Sequence, residues 1–299
     1  MSHPRPGTPR QTRSAWLLVS PALLLVSAFF FLPVMIGLVL SLTDFDIYAI
    51  GAPDTARFVG IHNYADLLRL PLFWKALGNT FYFVGVGAPL SVLVSLVAAL
   101  LVNSRLTRFQ PFFRSVFFLP VVTTLVAVAI VWRYVYQPQY GLANWALRAL
   151  RLPAIDWLGN PRWAMPAIIL LAVWKNFGYN MLIFLAGLPS IPRDLSEAAE
   201  LDGAGAWQRL RHVTLPGLRP TFVFVGVTTV LGFFQLFAEP YVMTQGGPLD
   251  STTTLVLYMY EEGFRWWRMG NAAAIAFVLF AFMLTGTLVQ MRLQRERST

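Results

Sequence analysis

An apolar segment at residues 163–188 contains polar side chains that could form hydrogen bonds inside a membrane. Lys175 is followed by Asn176, Tyr179 and Asn180, and the two asparagines are one helical turn apart. Amide and hydroxyl groups at this spacing can bind the hydroxyl groups of a ligand, while aromatic rings stack on its apolar faces. Polar amides are also common hydrogen-bonding contacts between membrane helices, so the sequence leaves both interpretations open.

Lys175 lies deep within its segment, where an isolated ammonium is costly and should face a cavity or a partner. It either lines a path for a ligand or forms a structural ion pair, for which Glu239 is the candidate partner. Later apolar segments contribute further aromatic and amide groups. The complete set of candidate path residues is Trp174, Lys175, Asn176, Tyr179, Asn180, Phe234, Gln235 and Asn271.

Residues that would support catalysis or metal binding are sparse. Cysteine is absent and the three histidines are far apart, which argues against thiol chemistry and against a zinc or iron site. No Gly-Lys pair occurs, so the chain has no phosphate-binding loop of the GxxxxGK[ST] type. A membrane enzyme would need acids, bases or metal ligands clustered at one depth, and Lys175 is isolated. The sequence predicts no catalytic, cofactor-binding or metal-binding residues.

The composition is that of a protein embedded in lipid. Hydrophobic residues make up 57% of the chain and charged residues 12%, about half the charged fraction of a typical soluble domain. The net charge of +9 is better explained by arginines on cytoplasmic loops than by nucleic-acid binding. We therefore predict an all-α integral membrane protein.

The apolar segments predict six transmembrane helices, because about 20 apolar residues cross the hydrocarbon core. A basic cytoplasmic tail (1–15) precedes the membrane domain (16–291), and a second cytoplasmic tail follows it (292–299). Lys and Arg are more abundant on the segments that are cytoplasmic if both termini lie inside. The predicted spans are 16–42, 76–104, 115–136, 163–188, 220–238 and 270–291.

A charged hairpin at 189–219 separates the fourth and fifth spans, on the predicted cytoplasmic side. Asp194, Glu197 and Glu200 mark one face of a short helix, and Asp194 favours its positive N-terminal end. Gly203 is expected to end this helix in the left-handed conformation. Composition alone would allow an ordinary interfacial helix with solvated charges.

The order and spacing of several motifs resemble those of binding-protein-dependent ABC importer permeases. The pattern begins with Glu197-Ala198-Ala199, continues to Gly203 and ends at Leu215-Pro216, with Val213 where isoleucine is usual. The flanking segments 188–192 and 241–248 are similar to the carbohydrate-uptake branch, and the resemblance extends over nearly the whole chain. It is closest to the first permease of sugar and sugar-phosphate importers.

This resemblance implies the type I importer fold and a coupling function for the hairpin. Glu197 would be its charged anchor, Ala198 and Ala199 would permit close approach, Gly203 would form the turn, and Leu215-Pro216 would complete the motif. The implied partners are a second homologous permease, two cytoplasmic ATPase subunits that bind ATP-Mg, and an external substrate-binding protein. The implied location is the plasma (inner) membrane of a bacterium or archaeon, as a multi-pass protein.

The resemblance favours import of a sugar, such as an oligosaccharide or a related polyol or glycoside. A glycerol-phosphate importer permease of the same family is the alternative. A secondary transporter driven by ions would be expected to show inverted sequence halves or broken-helix ion sites, and neither is clear in the sequence.

Overall fold

The computed structural model describes residues 9–51, 56–104 and 107–295. The ends of the predicted cytoplasmic tails, 1–8 and 296–299, lie outside these described residues, as does Arg105. In the described ranges the chain is almost entirely helical, with one isolated antiparallel bridge between Thr43 and Phe58. The α-helices are α1 Pro9–Val26, α2 Leu32–Ser41, α3 Tyr48–Gly51, α4 His62–Arg69, α5 Pro71–Val102, α6 Gln110–Val122, α7 Leu125–Val135, α8 Leu142–Ala149, α9 Pro161–Gly187, α10 Arg193–Leu201, α11 Ala206–Arg209, α12 Leu215–Gly217, α13 Arg219–Phe234, α14 Ala238–Met243, α15 Leu255–Tyr260 and α16 Met269–Arg295.

Four continuous helical segments among the described residues are long and apolar enough to cross a membrane: Trp16–Ser41, Pro71–Val102, Pro161–Ser190 and Met269–Leu288. Two bent helix pairs raise the number to six if each pair forms one span. The predicted span 115–136 is divided into α6 and α7, which diverge by 99° at Thr123 and Thr124. The predicted span 220–238 is helical only to Phe234, where α13 ends.

The described residues form two compact units. The first contains residues up to 67 together with 259–277. Within it, the amide of Asn63 donates to the carbonyls of Ser41 and Thr43, at 2.9 and 2.8 Å. These bonds connect α4 to the end of α2, because the last carbonyls of a helix have no partner within the helix itself.

The second unit contains residues 68–258 and the chain beyond 277. Its centre is the packing of α5 against α9, onto which α13 and α6 also pack. Small residues allow this close approach: a Cβ atom on Gly87 of α5 would lie 2.9 Å from the ring of Phe233 on α13. Close packing through glycine is typical of membrane helices, since lipid provides no hydrophobic force to drive them together.

Candidate functional site

A cavity of about 390 Å³ lies within the second unit. Its walls come from α9, from α13 and the start of α14, from Leu125 at the start of α7, and from Phe83 of α5. Of the path residues predicted from the sequence, the structure brings five together here: Lys175, Asn176, Tyr179, Asn180 and Gln235. The cavity therefore combines amide and hydroxyl groups with aromatic rings, as a site for a polyhydroxylated ligand requires.

The two asparagines of α9 have different environments. Asn180 is buried, and its Nδ2 donates to the hydroxyl of Thr229 at 2.9 Å and to that of Ser91 at 3.5 Å. It therefore joins α9 to α13 and α5, which is the helix-contact function that the sequence left open. The Nδ2 of Asn176 donates to the carbonyl of Ala172 in its own helix, at 2.9 Å.

Gln235 lies at a break in the helical backbone. The backbone N–H of Gln235 bonds to Gly232 at 3.2 Å as α13 ends, and α14 begins only at Ala238. The carbonyl of Leu236 accepts a 2.8 Å hydrogen bond from the Thr254 hydroxyl, so this irregular segment has partners for its polar groups. The exposed Gln235 side chain is thus held at the cavity wall by a fixed backbone.

The ion pair considered for Lys175 is not formed. Within the described residues, no Lys175–Glu239 contact falls within the 4.0 Å of an ion pair, although both side chains line the cavity. The Lys175 ammonium instead donates to the carbonyls of Pro120 and Thr123, each at 3.0 Å. These carbonyls belong to the break between α6 and α7.

The remaining predicted path residues do not line this cavity. Trp174 faces a separate apolar groove, where its ring lies 5.4 Å from that of Trp132. Phe234 is buried and meets Phe81 edge-on at 5.6 Å. Asn271 is half-buried in the first unit.

Three polar residues line the cavity that the sequence did not predict as ligand contacts. Thr228 and Thr229 are adjacent on α13, and Glu239 is buried in the first turn of α14. A pair of threonines within an apolar span was a visible signal. The sequence predicted Glu239 only as an ion-pair partner of Lys175. Its position beside the cavity depends on the end of α13 at Phe234, which hydropathy does not predict.

The first helix of the charged hairpin, α10, has a complete C-terminal cap. At the end of α10 the N–H of Ala204 bonds to Ala199 at 2.9 Å, and the N–H of Gly203 bonds to Glu200 at 3.1 Å. This pair of bonds is the Schellman motif, which places its glycine in the left-handed region. Gly203 has a φ of +80°, so the predicted left-handed end of this helix is confirmed.

The acidic residues of the hairpin are exposed, and one of them, Glu200, forms an ion pair. The Nη1 of Arg209 contacts the Oε2 of Glu200 at 2.6 Å, which closes α10 against α11. Glu197 and Ala198 are exposed, and Ala199 is half-buried. Leu195, Leu201 and Trp207 are exposed large apolar residues of the same hairpin.

The base of the hairpin is packed against the membrane helices. Leu215 packs on the apolar cluster around Met181 and Phe184 of α9, and Leu218 is fully buried in that cluster. Pro216 is exposed in the first turn of α12. A Cβ atom on Gly217 would lie 2.8 Å from Ile191, so the two ends of the hairpin are in close contact.

Gly203→Val is expected to destabilise the hairpin by about 1–2 kcal/mol, because a β-branched residue is strained at positive φ. Hydrogen exchange of the amides between 194 and 204 measures this as faster local opening. Gly205→Val is the control, since Gly205 has an ordinary φ of −66°. Equal protection in the two variants would contradict the expected strain.

Comparison with known proteins agrees with this architecture. Residues 91–298 match the family of binding-protein-dependent transport system inner membrane components. The chain is 36% identical to the lactose transport system permease protein LacF of Rhizobium radiobacter, over 95% of each chain. It is 32% identical to the arabinooligosaccharides transport system permease protein AraP of Bacillus subtilis, over 97% of this chain and 95% of that protein. A crystal structure of a bacterial ABC transporter that imports the acidic polysaccharide alginate has the same fold, with a TM-score of 0.79, 24% identity, and coverage of 97% of this chain and 99% of that one.

The fold and the family match define the class of protein as a multi-pass inner-membrane permease. The chain belongs to the family of binding-protein-dependent transport system inner membrane components, the membrane-embedded subunits of ABC importers. It is a translocation subunit and not an enzyme, and it has the fold of type I importers.

Proposed function

We propose that this permease imports a sugar, most simply a neutral oligosaccharide, delivered by an external binding protein. Similarity to permeases named for lactose, arabinooligosaccharides and trehalose/maltose supports this substrate class. The observation that carries the proposal is the cavity, which gathers Asn176, Tyr179 and Gln235 beside the rings of Phe83 and Phe233.

The charges around the cavity favour a neutral ligand over a phosphate ester. Lys175 already donates to two backbone carbonyls, so its ammonium is partly saturated by the protein. Glu239 contributes a buried carboxyl group to the same wall, which offers no positive charge to an anion. A sugar with hydroxyl groups instead finds amide donors and acceptors together with aromatic faces.

The proposed complex contains a companion permease and two cytoplasmic ATPase subunits that bind ATP-Mg. The hairpin 189–219 would dock on an ATPase subunit, with both termini of the chain on the cytoplasmic side. Leu195, Leu201 and Trp207 are exposed apolar residues on the same hairpin as the acidic Glu197, which suits a protein interface that combines apolar and charged contacts. Because Leu215 and Leu218 pack against α9, a displacement of the hairpin would be transmitted to the helix that lines the cavity.

Gln235→Ala and Tyr179→Phe are expected to raise the KM for sugar uptake about tenfold, because each removes one hydrogen-bonding group from the cavity. Uptake of radiolabelled lactose, arabinooligosaccharide, maltose and glycerol 3-phosphate is measured in proteoliposomes containing the complete transporter. Gln137→Ala is the control, since Gln137 is an amide outside this cavity.

Unchanged KM in both variants would dismiss the cavity as the sugar site. Uptake of glycerol 3-phosphate but of no sugar would reject the proposed substrate class. Asn180→Ala is a less specific test: its bonds to Thr229 and Ser91 make a loss of stability the expected first effect.

A further inference from the structure

The break between α6 and α7 leaves unpaired backbone groups inside the second unit. The last carbonyls of α6 lack backbone N–H donors from their own helix, because Thr123 and Thr124 are extended, with ψ of 147° and 134°. The hydroxyl of Thr123 donates to the carbonyl of Pro120 at 2.6 Å, and the carbonyl of Thr123 needs a donor from another helix. In a membrane such groups need partners from neighbouring elements. Lys175 of α9 supplies them: its Nζ donates to Pro120 and to Thr123, at 3.0 Å each.

The position of Lys175 is fixed by a second contact between the same two helices. Gly178 lies one turn further along α9, on the face shared with Lys175. A Cβ atom on Gly178 would overlap the carbonyl group of Phe117 and lie 3.2 Å from the Cα of Phe118. The backbone of α6 therefore contacts Gly178 directly. This contact holds the carbonyls at the end of α6 within hydrogen-bonding distance of the Lys175 ammonium.

The break also shapes the cavity. Leu125, the first residue of α7, is part of the cavity wall, as are Lys175 and Glu239. The helix that carries Glu239, α14, packs against α7. The direction in which α7 leaves the break thus determines where this wall stands.

We infer that Lys175 is a positioning residue that caps the C-terminal end of α6 and thereby holds α7 in the bent arrangement that closes one side of the cavity. A cation at this place also suits the negative end of the α6 dipole. Without the ammonium, the carbonyl of Thr123 loses its donor and that of Pro120 keeps only the Thr123 hydroxyl. A helix that continues through Thr123 and Thr124 would supply backbone donors to both carbonyls and would straighten the span. The inference deepens the proposed function and rests on it for its uptake measurement.

The first test is a distance between the arms of the bent pair. The chain has no cysteine, so spin labels are introduced only at Phe112→Cys and Tyr134→Cys, both exposed. The Cα atoms of residues 112 and 134 are about 21 Å apart if the span is bent by 99° from a straight helix. In a straight helix they would be roughly 33 Å apart. In the full chain in lipid nanodiscs, Lys175→Met is expected to shift the distance toward the longer value. Lys175→Arg should keep the shorter one.

Asn176→Ala provides the matched control, because Asn176 is adjacent on α9 and, among the described residues, its side chain donates to a carbonyl of that same helix. The distance between the two spin labels in Asn176→Ala is expected to equal that in the parent chain. A Lys175→Met distribution that coincides with the parent distribution would overturn the capping function. So would failure of Lys175→Arg to keep the short distance in a protein that is otherwise folded.

The second test separates positioning from direct contact with a substrate. In proteoliposomes, Lys175→Met should lower uptake at limiting sugar about tenfold together with the longer arm distance, and Lys175→Arg should keep both the parent uptake and the short distance. A raised KM with an unchanged rate and unchanged arm distance would make Lys175 a substrate contact and refute the inference. If the parent transporter carries none of the sugars, the proposed function fails, and the arm distance still decides the function of Lys175.

Discussion

Glu197→Lys is expected to uncouple the importer, with sugar-stimulated ATP hydrolysis reduced more than about 30-fold. Glu197 is exposed on α10, and no described residue of this chain forms an ion pair with it. At the proposed ATPase interface it would meet a basic partner in a desolvated setting. Reversing such a charge costs about 2–5 kcal/mol, which corresponds to this loss.

The measurement compares two charge reversals on one helix. Asp194→Lys changes the same charge one turn earlier, in the exposed first turn of α10. ATP hydrolysis and co-purification of the ATPase subunits are measured with both variants, together with docking of the binding protein on the outer side. Docking should survive in both. If Glu197→Lys couples as well as Asp194→Lys, Glu197 is not the anchor.

Features of the fold and of the candidate site that depend on local sequence were predictable. The left-handed end of α10 follows from Gly203 alone, because few other residues tolerate that conformation. The grouping of Lys175, Asn176, Tyr179 and Asn180 at one cavity follows from their spacing on a regular helix. The family itself was evident from the Glu197–Pro216 motif, and the family match confirms it.

Features that depend on contacts between distant segments were not predictable. Hydropathy treats 115–136 as one span, because it measures transfer into lipid and contains no term for a backbone break. The backbone carbonyls at the break near Thr123 accept hydrogen bonds from an ammonium far along the chain, at Lys175. In the same way, Glu239 reaches the cavity wall because α13 stops at Phe234, where Thr254 binds the irregular backbone.

Trp174 shows why proximity in sequence does not ensure a shared site. It precedes Lys175 directly, yet adjacent residues on a helix point about 100° apart. Trp174 therefore packs beside Trp132 in the apolar groove, while Lys175 turns toward the break. The sequence identified the helix that carries the site, and the neighbouring helices determined which of its faces is used.

Gly178→Ala is expected to lower the stability of the second unit by about 1–3 kcal/mol, the usual effect of overpacking a close contact. The added methyl group would lie 2.7 Å from the carbonyl carbon of Phe117. Backbone atoms cannot rotate away as a side chain would, so α6 must move off α9. Thermal unfolding of the full chain in detergent, followed by tryptophan fluorescence, should show a midpoint several degrees lower.

The chain offers a matched glycine for comparison. Gly85 is also in the interior of a long helix, α5, but a Cβ atom there has no heavy atom within 4 Å. Gly85→Ala should therefore preserve or raise the midpoint, since alanine favours the helix. Equal midpoints for the two variants would show that α6 does not depend on the bare backbone of Gly178. A lower midpoint for Gly178→Ala alone would establish that contact as the support on which the bent span rests.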